Sequence, residues 1–332
     1  MKVAFISENG LVGKVPRTFE NARVEFAWMI SLDATHYNIS DITQVSGYDY
    51  VFVILPKIKT NLSAEGSEIG SKIEDPRSRF HKADFIDTIK NTNKSVFIIQ
   101  EGPNWLFNDY SVIEQFNYYG CLNQCDGIFV HNKIDAKFFK GITYNNKSVN
   151  VIPSVMIEDT LKDITSKRED KTIIGGNFSR WYGGFQSFMV ARVFGNEIYA
   201  QTSHSKRSDE QYVGGLNHLP RLSWVDWMKE ISSYKYAVHL MPTVAAGTFS
   251  LNCAYFGIPC IGNKDVDTQD ILHPLLSVDV NDVEEAVKLA TKLKEDEDFY
   301  KLCSETSKRK YKDLYSEKVW TKNMKELLHE QY

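Results

Sequence analysis

None of the apolar runs in this 332-residue chain approaches the roughly 20 residues that span a bilayer, so no membrane insertion is expected. Positive charge is not in surplus either. Lys and Arg number 39 against 43 Asp and Glu, a net charge of −4. That excludes a global basic field holding nucleic acid non-specifically, though not a local basic groove. Neither G-x-G-x-x-G nor G-x-x-x-x-G-K-[ST] occurs, which excludes the dinucleotide fingerprint and the P-loop. Cysteines are only 5, namely Cys121, Cys125, Cys253, Cys260 and Cys303. An odd count at irregular spacing fits a reducing cytoplasm. Cys121 and Cys125 lack the second pair that a zinc site needs, and no metal is expected. Cys253 and Cys260 lie in apolar runs and read as small buried hydrophobes. The sequence has no low-complexity tract and no internal repeat, and MKVAFISENG is too soon interrupted for a signal peptide.

What is present is material for a core: 42% hydrophobic and 13% aromatic residues. Strand and helix signals alternate from the first residue. KVAFIS, YDYVFVILP, KSVFIIQ and DGIFVHN read as buried strands. RTFENARVEFAWMISL places Phe19, Ala22, Phe26, Trp28 and Ile30 at helical spacing, and ADFIDTIKNT, SVIEQFNYYGCLNQC and KIDAKFFKG read as further helices. After a polar connector near residues 150–170 the alternation resumes with KTIIGGN, FQSFMVARVFG, NEIYAQT, VDWMKEISSYK, YAVHLMP, FSLNCAYFG and IPCIGN. Continuous apolar strands alternating with helices imply parallel sheets covered on both faces. The expected fold is α/β, two doubly wound Rossmann-like halves followed by charged amphipathic helices. Two such halves facing each other would form a central cleft.

Ligands of doubly wound sheets bind beyond the carboxyl ends of the strands, and four polar stretches stand there. SENGLVGKVPRTF follows the first strand, with Gly10, Lys14 and Arg17. Its structural alternative is an ordinary strand-to-helix loop. IIQEGPNWLFND offers Glu101 as a general base, Asp109 as a second carboxylate and Trp105 as a stacking surface. The bland alternative makes Asp109 the cap of the next helix. GGNFSRWYGGF carries Asn177 and Arg180, whose guanidinium suits a phosphate. PTVAAGTFSLN opens a helix with Thr243, Gly247, Thr248, Phe249, Ser250 and Asn252. Free N–H groups at such a helix start favour an anion, and simple capping by Thr248 is the alternative. The loop of residues 57–85 is long and polar, and the acids at Asp265 and Asp267 are too common a pattern to imply a metal.

MPTVAAGTFSLNCAYFGIPCIG and the closing DVEEAVKLATKLKEDEDFYKLCSETSKRKYKDLYS resemble the GT-B glycosyltransferases. The resemblance implies an acceptor-side Rossmann-like domain over residues 1–155, a nucleotide-sugar domain over residues 156–310, and a C-terminal helix over residues 311–332 packing back on the first. It implies that Gly247, Thr248, Phe249 and Ser250 cradle the diphosphate of a UDP-linked sugar. Asn252 stands where the family has a ribose-binding Glu. Arg180 matches the phosphate Arg. The Lys expected after it is replaced by Gly183 and Gly184, which leaves Lys206 and Arg207 as substitutes. SRWYGGFQSF, IIQEGPNW and DGIFVHN are similar to segments of phage DNA glycosyltransferases acting on hydroxymethylcytosine, and the Pro-Arg-Thr-Phe loop points to the same group, arabinosyltransferases included.

The expectation is a metal-independent, cofactor-free glycosyltransferase, in the host cytoplasm if phage-encoded. Asn177, Arg180 and residues 247–250 hold the donor. Glu101 or Asp109 acts on the acceptor hydroxyl, and Gly10, Lys14, Arg17 and Trp105 bind the acceptor, a hydroxymethylated base in DNA. The rivals are a cell-envelope glycan transferase, an epimerase of the same fold and a non-catalytic nucleotide-sugar-binding protein. Only the last would keep its function after Glu101→Ala.

Overall fold

The computed structural model describes residues 1–8, 10–57, 79–100, 102–144, 147–178, 181–201 and 207–331. The chain divides into two compact units. The first comprises Met1–Pro16, Glu25–Pro153 and Leu327–Tyr332; the second comprises Arg17–Val24 and Ser154–Glu326.

In the first unit, β1 (Val3–Ser7), β2 (Gly13–Lys14), β3 (Thr35–Asn38), β4 (Tyr50–Val53), β5 (Ser95–Ile99), β6 (Gly127–Val130) and β7 (Ser148–Val151) form a sheet of order β2-β3-β1-β4-β5-β6-β7. Every pairing is parallel except that of β2 with β3. The helices are α1 (Glu25–Ser31), α2 (Ala83–Lys90), α3 (Val112–Gln124) and α4 (Lys133–Ile142). Strand alternation sends Phe5, Phe52, Phe97 and Phe129 to one face, where successive rings lie 4.9, 5.3 and 5.5 Å apart. Ala4, Ile6, Val51, Val53, Val96 and Ile98 fill the other face. Burial on both faces is why these strands read as unbroken apolar runs.

In the second unit, β8 (Glu169–Ile174), β9 (Glu197–Gln201), β10 (Leu216–Leu219), β11 (Tyr234–His239), β12 (Cys260–Asn263) and β13 (Ser277–Val278) form a parallel sheet of order β10-β9-β8-β11-β12-β13. Counted within the unit this is 3-2-1-4-5-6, the dinucleotide-fold order, and its topological switch point lies between β8 and β11. The helices are α5 (Gly184–Ala191), α6 (Trp224–Ile231), α7 (Thr248–Phe256), α8 (Asp267–Leu272), α9 (Val283–Glu295), α10 (Glu297–Leu314) and α11 (Glu317–Gln331). The last residues of α11 belong to the first unit, where the Tyr50 hydroxyl donates to the Leu328 carbonyl at 3.0 Å. Among the described residues no helix is long and apolar enough to cross a membrane.

The helix expected from residue 17 onward is shorter than its periodicity implies. Only Glu25–Ser31 is helical. Residues 17–24 join the second unit, where tertiary contacts override the local pattern. Arg17 is held by Asp159 at 2.8 Å and Glu317 at 2.8 Å. The Glu20 carbonyl accepts from Val225 N–H, and Asn21 Oδ1 accepts from Trp224 N–H, each at 3.2 Å. The chain turns back at Val24 with φ +49°, a left-handed conformation that costs a β-branched residue roughly 1–2 kcal/mol.

Candidate functional site

The switch point of the second sheet is crowded. Gly175, just after β8, packs so tightly on His239 that a Cβ there would collide with the imidazole. His239 ends β11, and its ring meets Phe249 edge-on at 5.0 Å and 68°. Burial pulls its pKa down to about 4, which keeps the ring neutral. Its Nε2 has no hydrogen-bond partner among the described residues. Sequence reasoning passed over His239; its place at a strand's carboxyl end was the available signal.

From β11 a loop containing the half-buried Thr243 leads to Gly247. Gly247 caps α7 with φ +65° and ψ +31° and offers no side-chain hydrogen bond. A Cβ at this position would collide with Thr268 and Val266, and Thr268 Oγ1 donates to the Gly247 carbonyl at 2.8 Å. Both the backbone sign and the close approach require glycine here. Thr248 is the first helical residue, not the cap. The N–H groups of Thr248, Phe249 and Ser250 meet no acceptor among the described residues; the first N–H to bond within the helix is that of Leu251, to the Gly247 carbonyl at 3.2 Å.

A cavity of about 200 Å³ opens beside this helix start. Thr248, Phe249 and Asn252 of α7 form one side, Trp224 and Trp227 of α6 another; Gln201 at the end of β9, together with Arg23 and Val24, completes it. The two tryptophans differ. With the Asn252 amide oriented to donate to the Thr248 carbonyl at 3.0 Å, its oxygen accepts from the Trp227 indole N–H at 2.9 Å. The Trp224 side chain is 3% exposed, and its indole N–H has no partner among the described residues. A buried donor without an acceptor is costly, and the residue that carries this one lines the cavity.

Ser250 differs from its expected role. Its hydroxyl donates to Gln269 Oε1 at 2.8 Å, and its carbonyl is bonded by His273 Nε2 at 3.0 Å. What Ser250 still offers is its backbone N–H. Burial holds the His273 pKa at about 4, so the imidazole is neutral and donates from Nε2.

Glu101, Arg180 and Lys206 lie outside the described residues. Asp109 closes a 3-10 turn over Asn104–Asp109, and its side chain lies outside the described structure. It does not cap α3. Ser111 does, its hydroxyl accepting from Glu114 N–H at 3.3 Å. Trp105 rides on the same turn, which is anchored where Asn104 donates to Asp135 from both backbone and side chain, at 2.9 and 2.8 Å. Gly10 is exposed. Lys14 pairs with Asp33 at 2.5 Å, both largely exposed. Gly10, Lys14 and Trp105 belong to the first unit, Arg17 to the second. Asn177 is buried, and its carbonyl accepts from Gly184 N–H at 3.0 Å. Arg207 is exposed and engaged by Asp209 at 2.6 Å. The sequence reading missed Glu210, a buried carboxylate whose Oε1 accepts from the N–H of Phe178 at 3.1 Å and of Arg207 at 2.9 Å. It ties together two loops that carry predicted donor residues.

No protein-family model matches this chain, and no curated protein matches it by sequence. Solved structures do match its fold. An alpha-glucosyltransferase in complex with UDP and a 13-mer DNA containing an HMU base aligns with a TM-score of 0.66 and 11% identity, over 99% of this chain and 100% of that one. HepE of Anabaena in complex with UDP aligns with a TM-score of 0.65 and 8% identity, over 99% of this chain and 100% of that one. TarM of S. aureus aligns with a TM-score of 0.56 and 8% identity, over 74% of this chain and 54% of that one. The likeness establishes the fold as GT-B, built from two Rossmann-like domains.

Proposed function

We propose that this chain is a glycosyltransferase that moves a sugar from a UDP-linked donor to an acceptor hydroxyl, with a hydroxymethylated base in DNA as the acceptor. The observation that carries the reading is the cavity at the start of α7. Three unsatisfied N–H groups and the positive end of the helix suit a diphosphate. The unsatisfied indole N–H of Trp224 suits a carbonyl oxygen of a pyrimidine base, with Trp227 and Phe249 as flat walls. All three of the similar structures hold UDP, which fits a donor of that class.

In this mechanism Gly247, Thr248, Phe249 and Ser250 contribute backbone to the diphosphate, and Arg180 adds charge. Negative charge grows on the leaving diphosphate as the glycosidic bond breaks, so preorganised donors favour the transition state over the ground state. Asn252 holds Trp227 in place and takes part in ribose binding only through what remains of its amide. Glu101 accepts the proton of the acceptor hydroxyl or orients that hydroxyl. Gly10, Lys14 and Trp105 serve the acceptor. A base inside a duplex would have to be flipped out to present its hydroxymethyl group.

HepE matches about as well as the DNA-bound alpha-glucosyltransferase, with TM-scores of 0.65 and 0.66, so the acceptor is the point to test. The experiment incubates the protein with a panel of nucleotide sugars and DNA containing cytosine or hydroxymethylcytosine, followed by mass spectrometry. A pentose or hexose mass added only to the modified base is the expected result. Release of UDP without transfer to DNA would replace the acceptor by a glycan or small molecule. Neither transfer nor release would overturn the enzymatic reading in favour of a non-catalytic binder.

A further inference from the structure

We infer that Arg23, carried into the second unit by the segment between β2 and α1, binds the anionic end of the nucleotide in this cavity. The inference rests on the nucleotide reading above and names a residue that neither the motifs nor the resemblance assigned.

Residues 17–24 leave the first unit for eight positions and return at Glu25. They are fixed along their length. Arg17 is clamped by two carboxylates, Glu20 and Asn21 cover the first N–H groups of α6, and Ala22 is buried. The left-handed backbone at Val24 then turns the chain out of the segment. A strained conformation of this kind persists only where its surroundings over-determine it, and such strain clusters at ligand clamps. The outcome is that Arg23 and Val24 line the cavity beside the start of α7.

The electrostatics point one way. The cavity lining contains one arginine, no aspartate and no glutamate. Arg17 and Arg207 are neutralised by Asp159, Glu317 and Asp209. Arg23 is exposed and its guanidinium makes no ion pair or hydrogen bond among the described residues. An uncompensated guanidinium and a helix start without side-chain caps border the same space, and both favour an anion. Trp224, whose buried indole N–H has no partner among the described residues, lines the same cavity. Gly183 and Gly184 stand where the resemblance expects a second phosphate cation; Arg23 supplies a cation from a different part of the chain.

Calorimetric titration with UDP and with uridine tests this in the full chain and in the variants Arg23→Ala and Arg23→Lys. Loss of a charge-assisted contact lowers UDP affinity by roughly 10- to 100-fold in Arg23→Ala, with partial recovery in Arg23→Lys. Uridine, which lacks the phosphates, binds the wild type and Arg23→Ala equally. The Arg23 side chain is exposed, so unfolding temperature stays unchanged and guards against a trivial loss of fold. Equal UDP affinity in wild type and Arg23→Ala would overturn the role of Arg23 and leave the nucleotide reading intact. Equal losses for UDP and uridine would also overturn it, because the residue would then act on packing or on the base. A wild type that binds no UDP would remove the nucleotide reading, and the inference with it.

Discussion

Helices α6 and α7 start on the same cavity, yet their starts are built in opposite ways. At α6 the protein satisfies each early donor. Trp224 N–H goes to Asn21 Oδ1, Val225 N–H to the Glu20 carbonyl, and Asp226 N–H to Ser223 Oγ, each at 3.2 Å. Two of these acceptors come from a segment roughly 200 residues earlier in the chain. At α7 a left-handed glycine replaces the side-chain cap, and the N–H groups of Thr248, Phe249 and Ser250 meet no acceptor among the described residues. A fold that reaches so far to cover one helix start has the means to cover its neighbour. The difference is what the proposed anion site requires, with α6 as the wall and α7 as the cradle.

The strongest way to break this comparison is to remove the glycine. Gly247→Val forces a β-branched residue to φ +65° and drives its Cβ toward Thr268 and Val266. Backbone strain and overpacking together are expected to cost about 3 kcal/mol or more, read as a lower urea midpoint, and UDP binding should vanish. A variant that keeps both its midpoint and its UDP affinity would contradict the role given to this turn.

Acid should separate the two starts next. The buttress of α7 titrates, because His273 bonds the Ser250 carbonyl; at α6 the Ser223 cap donates to the Asp226 carboxylate, whose pKa that bond lowers, so protonation there comes at lower pH. The His273 pKa falls from 6.5 when unfolded to about 4 when folded. Between those values the unfolded chain binds the proton and the folded one does not. The contribution of His273 is therefore complete above pH 6.5 and declines as pH falls toward 4, by on the order of 3 kcal/mol. Urea melts from pH 7.5 to 4.5 on the wild type and His273→Gln should show an acid slope shallower by up to one proton in the variant. Equal slopes would mean that His273 does not stay neutral under α7.

Much of the architecture was legible because burial on both faces leaves a plain mark. VAFIS, YVFV and GIFV could only be interior strands. The short polar strands THYN and LNHL gave no such mark and were not read. Residues 17–24 were misread for a physical reason. Phe19 and Ala22 sit at helical spacing, but the groups that fix the segment lie far away: Arg17 meets partners 142 and 300 residues distant. At the candidate site the bare helix start was legible from Gly247 onward. Which hydroxyls remained for a ligand was not, because the commitment of Ser250 to Gln269 is a tertiary fact. Trp224 and Trp227 are three residues apart on one helix, and no sequence rule tells that only the second has its N–H satisfied.

A smaller effect tests the covered start. Asn21→Ala deletes the acceptor for Trp224 N–H while leaving the Glu20 carbonyl and Ser223 in place. The loss of one capping contact should cost about 1 kcal/mol by urea denaturation. Because Asn21 also holds the segment that presents Arg23, UDP affinity should fall in parallel, by less than in Arg23→Ala. A stability loss with unchanged UDP affinity would show that covering α6 and presenting Arg23 are independent.

Trp224→Phe should have the smallest effect on UDP affinity and separates the two starts most finely. Phenylalanine keeps a flat apolar wall on α6 but removes the indole N–H that has no protein partner. Losing the unsatisfied donor offsets part of the cost of shrinking a core side chain that is 3% exposed, so the urea midpoint should fall modestly. If the N–H meets a base carbonyl in the complex, affinity for uridine and for UDP should fall by the same factor, roughly 3- to 10-fold, equivalent to about one hydrogen bond. That pattern is the inverse of the one expected for Arg23→Ala, which weakens UDP alone. The two variants thus assign opposite ends of the nucleotide: the base to α6, the phosphates to α7 and Arg23. An unchanged uridine affinity in Trp224→Phe would leave the walls of the cavity as shape alone, and base selection would have to come from Gln201 or from residues beyond the wall.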